Sequence, residues 1–155
     1  MNTQKCKTDV TDADGSTALT LASAYSDENV LEFLLDSGTS NIEEKGFNDE
    51  TALLSACTQK NNLKNIQFLV RKGASLTARD SYGIPPISRA AMYGDLDTIK
   101  YLLAVEPDTI EELGFEGRSP LLSACAVKGN WDNIKFLIDY GADVTARDEN
   151  NDTDS

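Results

Sequence analysis

Residues 51–80 read TALLSACTQKNNLKNIQFLVRKGASLTARD, and residues 119–148 read SPLLSACAVKGNWDNIKFLIDYGADVTARD. Thr51 stands against Ser119 and Asp80 against Asp148, and the two stretches align without a gap. The residues just ahead match as well: Ile42-Glu43-Glu44-Lys45-Gly46-Phe47 stands against Ile110-Glu111-Glu112-Leu113-Gly114-Phe115. Each of these double repeats divides in half, because Thr17-Ala18-Leu19, Thr51-Ala52-Leu53, Pro85-Pro86-Ile87 and Ser119-Pro120-Leu121 recur at equal intervals. Self-similarity at a fixed period of this size is the signature of a repeat architecture.

Within each half a second string recurs: Leu31-Glu-Phe-Leu-Leu, Ile66-Gln-Phe-Leu-Val, Ile99-Lys-Tyr-Leu-Leu and Ile134-Lys-Phe-Leu-Ile. Its aliphatic residues fall at i, i+3 and i+4, which is one stripe of a helix. A breaker follows each time, at Gly38, Gly73, Pro107 and Gly141. The spacing predicts a short helix, a tight turn and a second short helix in every half. Helices shorter than ~12–15 residues are marginal alone in water, so their stability must come from stacking on neighbours.

Three of the turn-to-helix segments carry a family resemblance. Gly15-Ser-Thr-Ala-Leu-Thr-Leu-Ala22, Gly83-Ile-Pro-Pro-Ile-Ser-Arg-Ala90 and Gly117-Arg-Ser-Pro-Leu-Leu-Ser-Ala124 resemble the G-x-T-P-L-H-x-A signature of ankyrin repeats. Gly73-Ala74 and Gly141-Ala142-Asp143 are similar to the family's G-A-D after the second helix. The resemblance covers residues 11–148 as four repeats, about 11–44, 45–78, 79–112 and 113–148, between a polar segment 1–10 and an acidic tail 149–155. It implies an all-α solenoid of paired antiparallel helices with projecting hairpin-like loops.

Departures from the signature are local. Thr20, Leu54, Ser88 and Leu122 replace its histidine, and Asp49 stands at the turn glycine, a place where Asp tolerates left-handed backbone. Repeats two and four carry one extra residue between their helices, around Lys60-Asn61-Asn62 and Lys128-Gly129-Asn130. Links after repeats one and three are the longer ones, and repeat three ends in Glu106-Pro107. The polar Tyr25-Ser26-Asp27-Glu28-Asn29 suits a solvent-facing end. Trp131, Ile134, Phe136, Leu137 and Ile138 belong to a last helix that no further repeat follows, so a partly exposed face or a contact with another chain is expected there.

Composition sets the function classes aside one by one. The chain has 155 residues with 40% hydrophobic and 26% charged residues, the profile of one globular domain. No apolar run approaches the ~20 residues of a membrane span, and the N-terminus lacks the apolar core of a signal peptide. A cytoplasmic protein is therefore expected. Asp and Glu number 26 against 14 Lys and Arg, a net charge of −12. Such a surface repels phosphate backbones and anionic lipid, so no nucleic-acid or membrane partner is expected, and a basic protein partner is favoured. The charge is uneven: residues 1–50 carry −8, residues 51–100 carry +4, and residues 101–155 carry −8. Lys60, Lys64, Arg71 and Lys72 in the second repeat read as a solvated helix face.

There is no histidine, which removes Ser-His-Asp and Cys-His nucleophile systems and HExxH zinc sites. No GxxxxGK[ST] or GxGxxG loop occurs either. Cys6, Cys57 and Cys125 form no C-x-x-C pair; Cys57 and Cys125 read as small core residues and Cys6 as exposed. The tail from Asp148 to Asp154 resembles the start of a calcium loop, but it lacks the glycine at the sixth position and the glutamate at the twelfth. Glu43-Glu44 and Glu111-Glu112 read as solvated loop charges. No catalytic residue, cofactor or metal is assigned, and the chain is not expected to be an enzyme.

In the ankyrin family, partners meet the loop tips and the exposed side of the first helices. Carried over by position, the resemblance implies tips at Ala13-Asp14, at Phe47, Asn48 and Glu50, at Tyr82 and Ile84, and at Phe115, Glu116 and Arg118. The ends of the first helices add Tyr25, Thr58-Gln59, Met92 with Tyr93, and Ala126-Val127. Phe47 and Phe115 could equally fold back to fill the longer links. Tyr82, Met92 and Tyr93 have the large amphipathic side chains of interface anchors. The expected function is a non-catalytic protein-binding module that uses loop tips and the concave helix face. The alternative is an acidic inhibitor or immunity-type protein that neutralises a basic enzyme. A monomer is expected, with dimerisation through the C-terminal face as the alternative.

Overall fold

The computed structural model describes residues 15–38 and 41–149. Cys6, the Ala13-Asp14 tip, the polar segment 1–10 and the tail beyond Glu149 lie outside the described residues.

The described residues form four helix pairs: α1 Ala18–Tyr25 with α2 Glu28–Asp36, α3 Ala52–Cys57 with α4 Leu63–Arg71, α5 Pro86–Tyr93 with α6 Leu96–Val105, and α7 Pro120–Cys125 with α8 Trp131–Tyr140. The recurring threonine, proline or serine before each first helix is its start signal. Thr17, Thr51 and Ser119 accept the backbone N–H of Thr20, Leu54 and Leu122, while Pro86 opens α5 with a residue that has no N–H to satisfy. Asp27 and Asp95 cap α2 and α6 in the same way.

First helices stack on first helices along the chain, α1 on α3 on α5 on α7, and second helices form a parallel outer layer. Leu19, Leu53, Ile87 and Leu121 fill one core position in the inner layer. Leu31, Ile66 and Ile99, with Leu34, Leu69, Leu102 and Leu137, form the buried stripe of the outer layer. Full burial of one such side chain stabilises by roughly 1.5–3 kcal/mol, so a helix of nine or ten residues is held by its neighbours. Ile134 is only partly buried, because among the described residues nothing stacks beyond the fourth repeat.

The turn tips are small hairpins. Gly46 N donates to Glu50 O at 2.8 Å and Gly114 N to Arg118 O at 2.8 Å, each closing a single 3-10 turn. Asp49 takes φ of 61°, the left-handed conformation that its equivalents Gly15, Gly83 and Gly117 adopt. Gly114 is required for a different reason: a Cβ there would stand 2.9 Å from Pro85 Cδ.

Glu43, Glu111 and Glu112 are structural ties and not solvated loop charges, whereas Glu44, among the described residues, accepts only the nearby Asn41 N. Glu43 Oε2 accepts Ser75 N at 2.7 Å, and Glu111 Oε2 accepts Asp143 N at 2.8 Å, so each long link is pinned to the end of the following repeat. Glu112 meets Arg79 Nη2 at 2.9 Å. The extra residue of repeats two and four has a purpose as well. With Asn61 and Gly129 at positive φ, the next asparagines turn inward. Asn62 Nδ2 donates to Ser23 O (2.8 Å) and Ala56 O, and Asn130 Nδ2 to Met92 O (3.0 Å) and Ala124 O. Asn65 and Asn133 reach Ser26 O and Ala91 O in turn. These amides bring side-chain donors to the last carbonyls of the first helices, where Ala56 O and Ala124 O also accept Gln59 N and Val127 N.

Candidate functional site

The sequence places large side chains at the loop tips and inner-helix ends of repeats three and four, and the fold brings them together. Tyr82 and Ile84 come from the tip before α5, Met92 and Tyr93 from its last turn, Phe115 and Arg118 from the tip before α7, and Ala126 and Val127 from just beyond α7. They line one groove of about 290 Å³. Tyr82 and Phe115 meet edge to face, with ring centroids 6.1 Å apart at 85°. That geometry suits the ring quadrupoles and fixes both side chains as a wall. The Arg118 guanidinium lies over the Phe115 ring at 5.9 Å from its centroid. Glu116 Oε1 at 3.0 Å and Asp148 Oδ2 at 3.4 Å balance its charge. Tyr82, Tyr93 and Phe115 remain exposed to solvent along their outer edges. Phe115 therefore both packs its loop and lines the groove.

The other sequence candidates lie elsewhere. Tyr25 is exposed at the end of α1, and Phe47 is exposed on the first long link. Asn48 turns through φ of 56° and spends its carbonyl on Ser81 N at 2.8 Å. Glu116 does the same with Glu149 N at 2.7 Å. Glu50 is ion-paired with Arg89, Oε2 to Nη2 at 2.8 Å.

Internal duplication explains the asymmetry. Tyr25 and Phe47 hold the positions in the first double repeat that Tyr93 and Phe115 hold in the second. Around them, however, Ser16, Ala24, Thr58 and Gln59 replace Ile84, Met92, Ala126 and Val127. The first double repeat therefore offers small or polar side chains where the second offers apolar walls.

Beneath the groove runs a charged connection between repeats two and three. Arg89, buried on α5, holds Asp80 Oδ2 at 2.5 Å and Glu50 Oε2 at 2.8 Å. Burial works against its charge, but the hydrogen bonds and charges of Asp80 and Glu50 outweigh it and push the guanidinium pKa up. Asp80 Oδ1 in turn accepts Tyr82 N and Ile84 N, both at 2.9 Å, and so orients the groove's first wall. Sequence reading missed this connection, although an arginine inside the Ser-Arg-Ala-Ala helix, flanked by buried positions, was its signal.

Nucleophilic chemistry finds little support in the cysteines. Cys57 is fully buried, and burial pushes its thiol up to about 12, which keeps it protonated. Cys125 is only partly buried, a departure from its expected core position, because it belongs to the last repeat while Cys57 is covered by the next one. Among the described residues no group of three or more His, Cys, Asp or Glu is placed to hold a metal ion, and no helix is long and apolar enough to cross a membrane.

Comparison with known proteins agrees with this architecture. A solved structure titled "Bd0816 Predatory Endopeptidase from Bdellovibrio bacteriovorus in complex with immunity protein Bd3460" contains a chain similar to this one, with a TM-score of 0.77 and 27% identity. The match covers 97% of this chain and 77% of that one. The "Probable 26S proteasome regulatory subunit p28" of Saccharomyces cerevisiae is 28% identical over 136 residues, 87% of this chain and 59% of that protein. "Alpha-latrocrustotoxin-Lt1a" of Latrodectus tredecimguttatus is 30% identical over 123 residues, 79% of this chain but only 8% of the toxin. The chain thus spans a small part of the toxin and just over half of the yeast protein. The family described as "Ankyrin repeats (3 copies)" matches residues 1–80 and 77–148. With its four stacked helix pairs and this match over nearly its whole length, the chain belongs to the ankyrin-repeat family.

Proposed function

We propose that this chain is a non-catalytic protein-binding module, with residues 11–148 as its repeat domain and the groove between repeats three and four as its anchor site. The observation that carries the proposal is the convergence of Tyr82, Ile84, Met92, Tyr93, Phe115 and Arg118 on one open groove of about 290 Å³. A cleft of that size takes one or two large apolar side chains from a partner surface. Tyrosine and arginine walls are the residue types that dominate interface energetics. The wall is held in place before binding by the Tyr82–Phe115 contact and the Asp80 hydrogen bonds, so association loses little ordering entropy. The net charge of −12 favours a basic partner. The missing histidine and the buried Cys57 thiol support a role without turnover, and a Cys57 and a Cys125 not joined to each other suit the cytoplasm.

A second reading rests on one specific observation. The similar structure is titled as a complex of an endopeptidase with an immunity protein. By that likeness the module would act as an acidic inhibitor that covers the active site of a basic enzyme. The experiment is capture of the partner by the wild type and by a Tyr82→Ala/Tyr93→Ala variant with an unchanged melting curve. Loss of the partner with the variant is the expected result, and equal retention overturns the groove as anchor. Inhibition of a captured enzyme, weakening steeply with added salt, would select the inhibitor reading.

A further inference from the structure

The two ends of the stack carry the two halves of an interface that the chain already makes once inside itself. Leu63, Val70 and Leu76 of repeat two recur at the equivalent positions of repeat four as Trp131, Ile138 and Val144. Under the third repeat, Val70 and Leu76 are packed against the core. At the end of the stack Trp131 is 70% exposed, Val144 58% and Ile138 44%. The opposite end behaves in the same way. Arg89 and Thr98 of repeat three are buried and Tyr101 is half-buried, yet their counterparts Leu21, Val30 and Phe33 in repeat one are exposed and all apolar. Each end of the described stack thus presents to solvent apolar side chains at positions that the internal junction covers.

The polar groups keep the same register. At the internal junction Lys60 Nζ donates to Gly94 O at 3.2 Å and Asn61 N to Asp95 Oδ2 at 2.8 Å. Their equivalents are Lys128 and Gly129 on the last repeat and Ser26 and Asp27 on the first. Asp27 binds Val30 N through Oδ1, and among the described residues its Oδ2 has no partner. Glu44 Oε2 is buried without a donor, whereas its counterpart Glu112 Oε2 receives Arg79 at 2.9 Å.

We propose that the chain self-associates head to tail: the outer face of α7 and α8 in one copy seats the α1–α2 face of the next, as repeat two seats repeat three. The loop Ala142–Glu149 then fills the slot that Ala74–Ser81 fill at the internal junction, and Gly15 of the second copy takes the place of Gly83. Such a contact is heterologous and leaves a free face at each end, so it builds open chains and not a closed dimer. Residues 1–50 and 101–155 each carry −8, so the approaching ends repel and association strengthens with salt. That sign is opposite to the one expected for a basic partner in the groove, so either proposal can fail without the other.

Sedimentation of the full chain from micromolar to millimolar, at low and high salt, tests it. The average mass of the wild type should rise with concentration, and more steeply at high salt. Phe33→Glu and Trp131→Glu change exposed side chains and should keep the helical spectrum and melting curve. Each variant alone should stay monomeric, because each has lost one face. Mixed in equal amounts they should double in mass and stop there, since the mixture retains one intact head and one intact tail. A wild type that stays monomeric at millimolar concentration overturns the proposal, as does a mixture that stays monomeric. Self-association of Phe33→Glu to the wild-type extent also overturns it, by assigning a tail-to-tail contact instead.

Discussion

Glu50 and Arg118 occupy one position in successive double repeats and carry opposite charges. Glu50 turns toward the next repeat and meets Arg89 Nη2 at 2.8 Å, whereas Arg118 turns over the Phe115 ring at 5.9 Å and lines the groove. The same backbone position thus holds an inter-repeat ion pair in the first unit and a groove wall in the second. Duplication supplies two copies of the scaffold, and side-chain differences confine the groove to one.

The pairs Tyr93/Tyr25 and Phe115/Phe47 give an internal control for the groove. Tyr82→Ala and Tyr93→Ala should each weaken partner binding by about 2 kcal/mol, roughly thirty-fold in Kd. Tyr25→Ala and Phe47→Ala should change it by less than a factor of about three, the range of ordinary contacts outside a hot spot. Titration calorimetry with the captured partner reads both. Equal losses for all four would spread the site over the whole loop edge.

Arg89 is the single cation between two buried or half-buried carboxylates. Arg89→Ala leaves Asp80, fully buried, and Glu50 facing each other without a counter-charge. Removing one partner of a buried pair costs ~3–5 kcal/mol, and urea melts should show a loss of that size. Because Asp80 also positions Tyr82 and Ile84, the variant should weaken partner binding even where it remains folded. A variant that melts like the wild type would mean that water reaches these carboxylates.

Much of the fold was legible because it depends on spacing. A fixed repeat period, an i, i+3, i+4 stripe and a breaker define each helix pair before any contact is known. Leu69 and Leu137, at one position of repeats two and four, are both fully buried. Leu69→Ala and Leu137→Ala should each destabilise by ~2–5 kcal/mol in denaturant melts. The groove was legible in part: Tyr82, Ile84, Met92, Tyr93, Phe115 and Arg118 converge, whereas Tyr25, Phe47, Asn48, Glu50 and Glu116 do not line it. Tyr25 and Phe47 hold the positions of Tyr93 and Phe115 with the same side chains, so only their neighbours separate these pairs, and those act through shape, which spacing does not encode.

Polar ties between repeats were not legible, since an asparagine in a turn reads as solvated until its partner is placed. Asn65 Nδ2 donates to Ser26 O at 2.8 Å and Asn133 Nδ2 to Ala91 O at 3.3 Å. Asn65→Ala should remove the side-chain donor to Ser26 O and one of the two to Ser23 O, and cost ~1–3 kcal/mol. Asn133→Ala, whose bonds are longer, should cost less. The ordering of the two in urea melts is the readout, and a neutral Asn65→Ala would mean that the carbonyls find water.

Asp95 ties repeat three to repeat two and gives the junction a pH dependence. Burial alone would raise its pKa, but the bonds from Asn61 N, Thr98 N and Thr98 Oγ1, with the charge of Lys60, outweigh that and hold the carboxyl below 3.8. A carboxyl depressed in the folded state contributes stability that is fully present above its unfolded value and is lost as pH falls through the folded one. Asp95→Ala removes the N-cap of α6 and the link to Asn61, and should cost about 1 kcal/mol at neutral pH. As pH drops below 3.8 the wild type loses the charged part of this advantage, so the difference between the two proteins should narrow. Urea midpoints measured across that range carry the test. A gap that stays constant into acid would mean that Asp95 acts as a neutral cap, and that its bond to Asn61 contributes no charge-dependent stability.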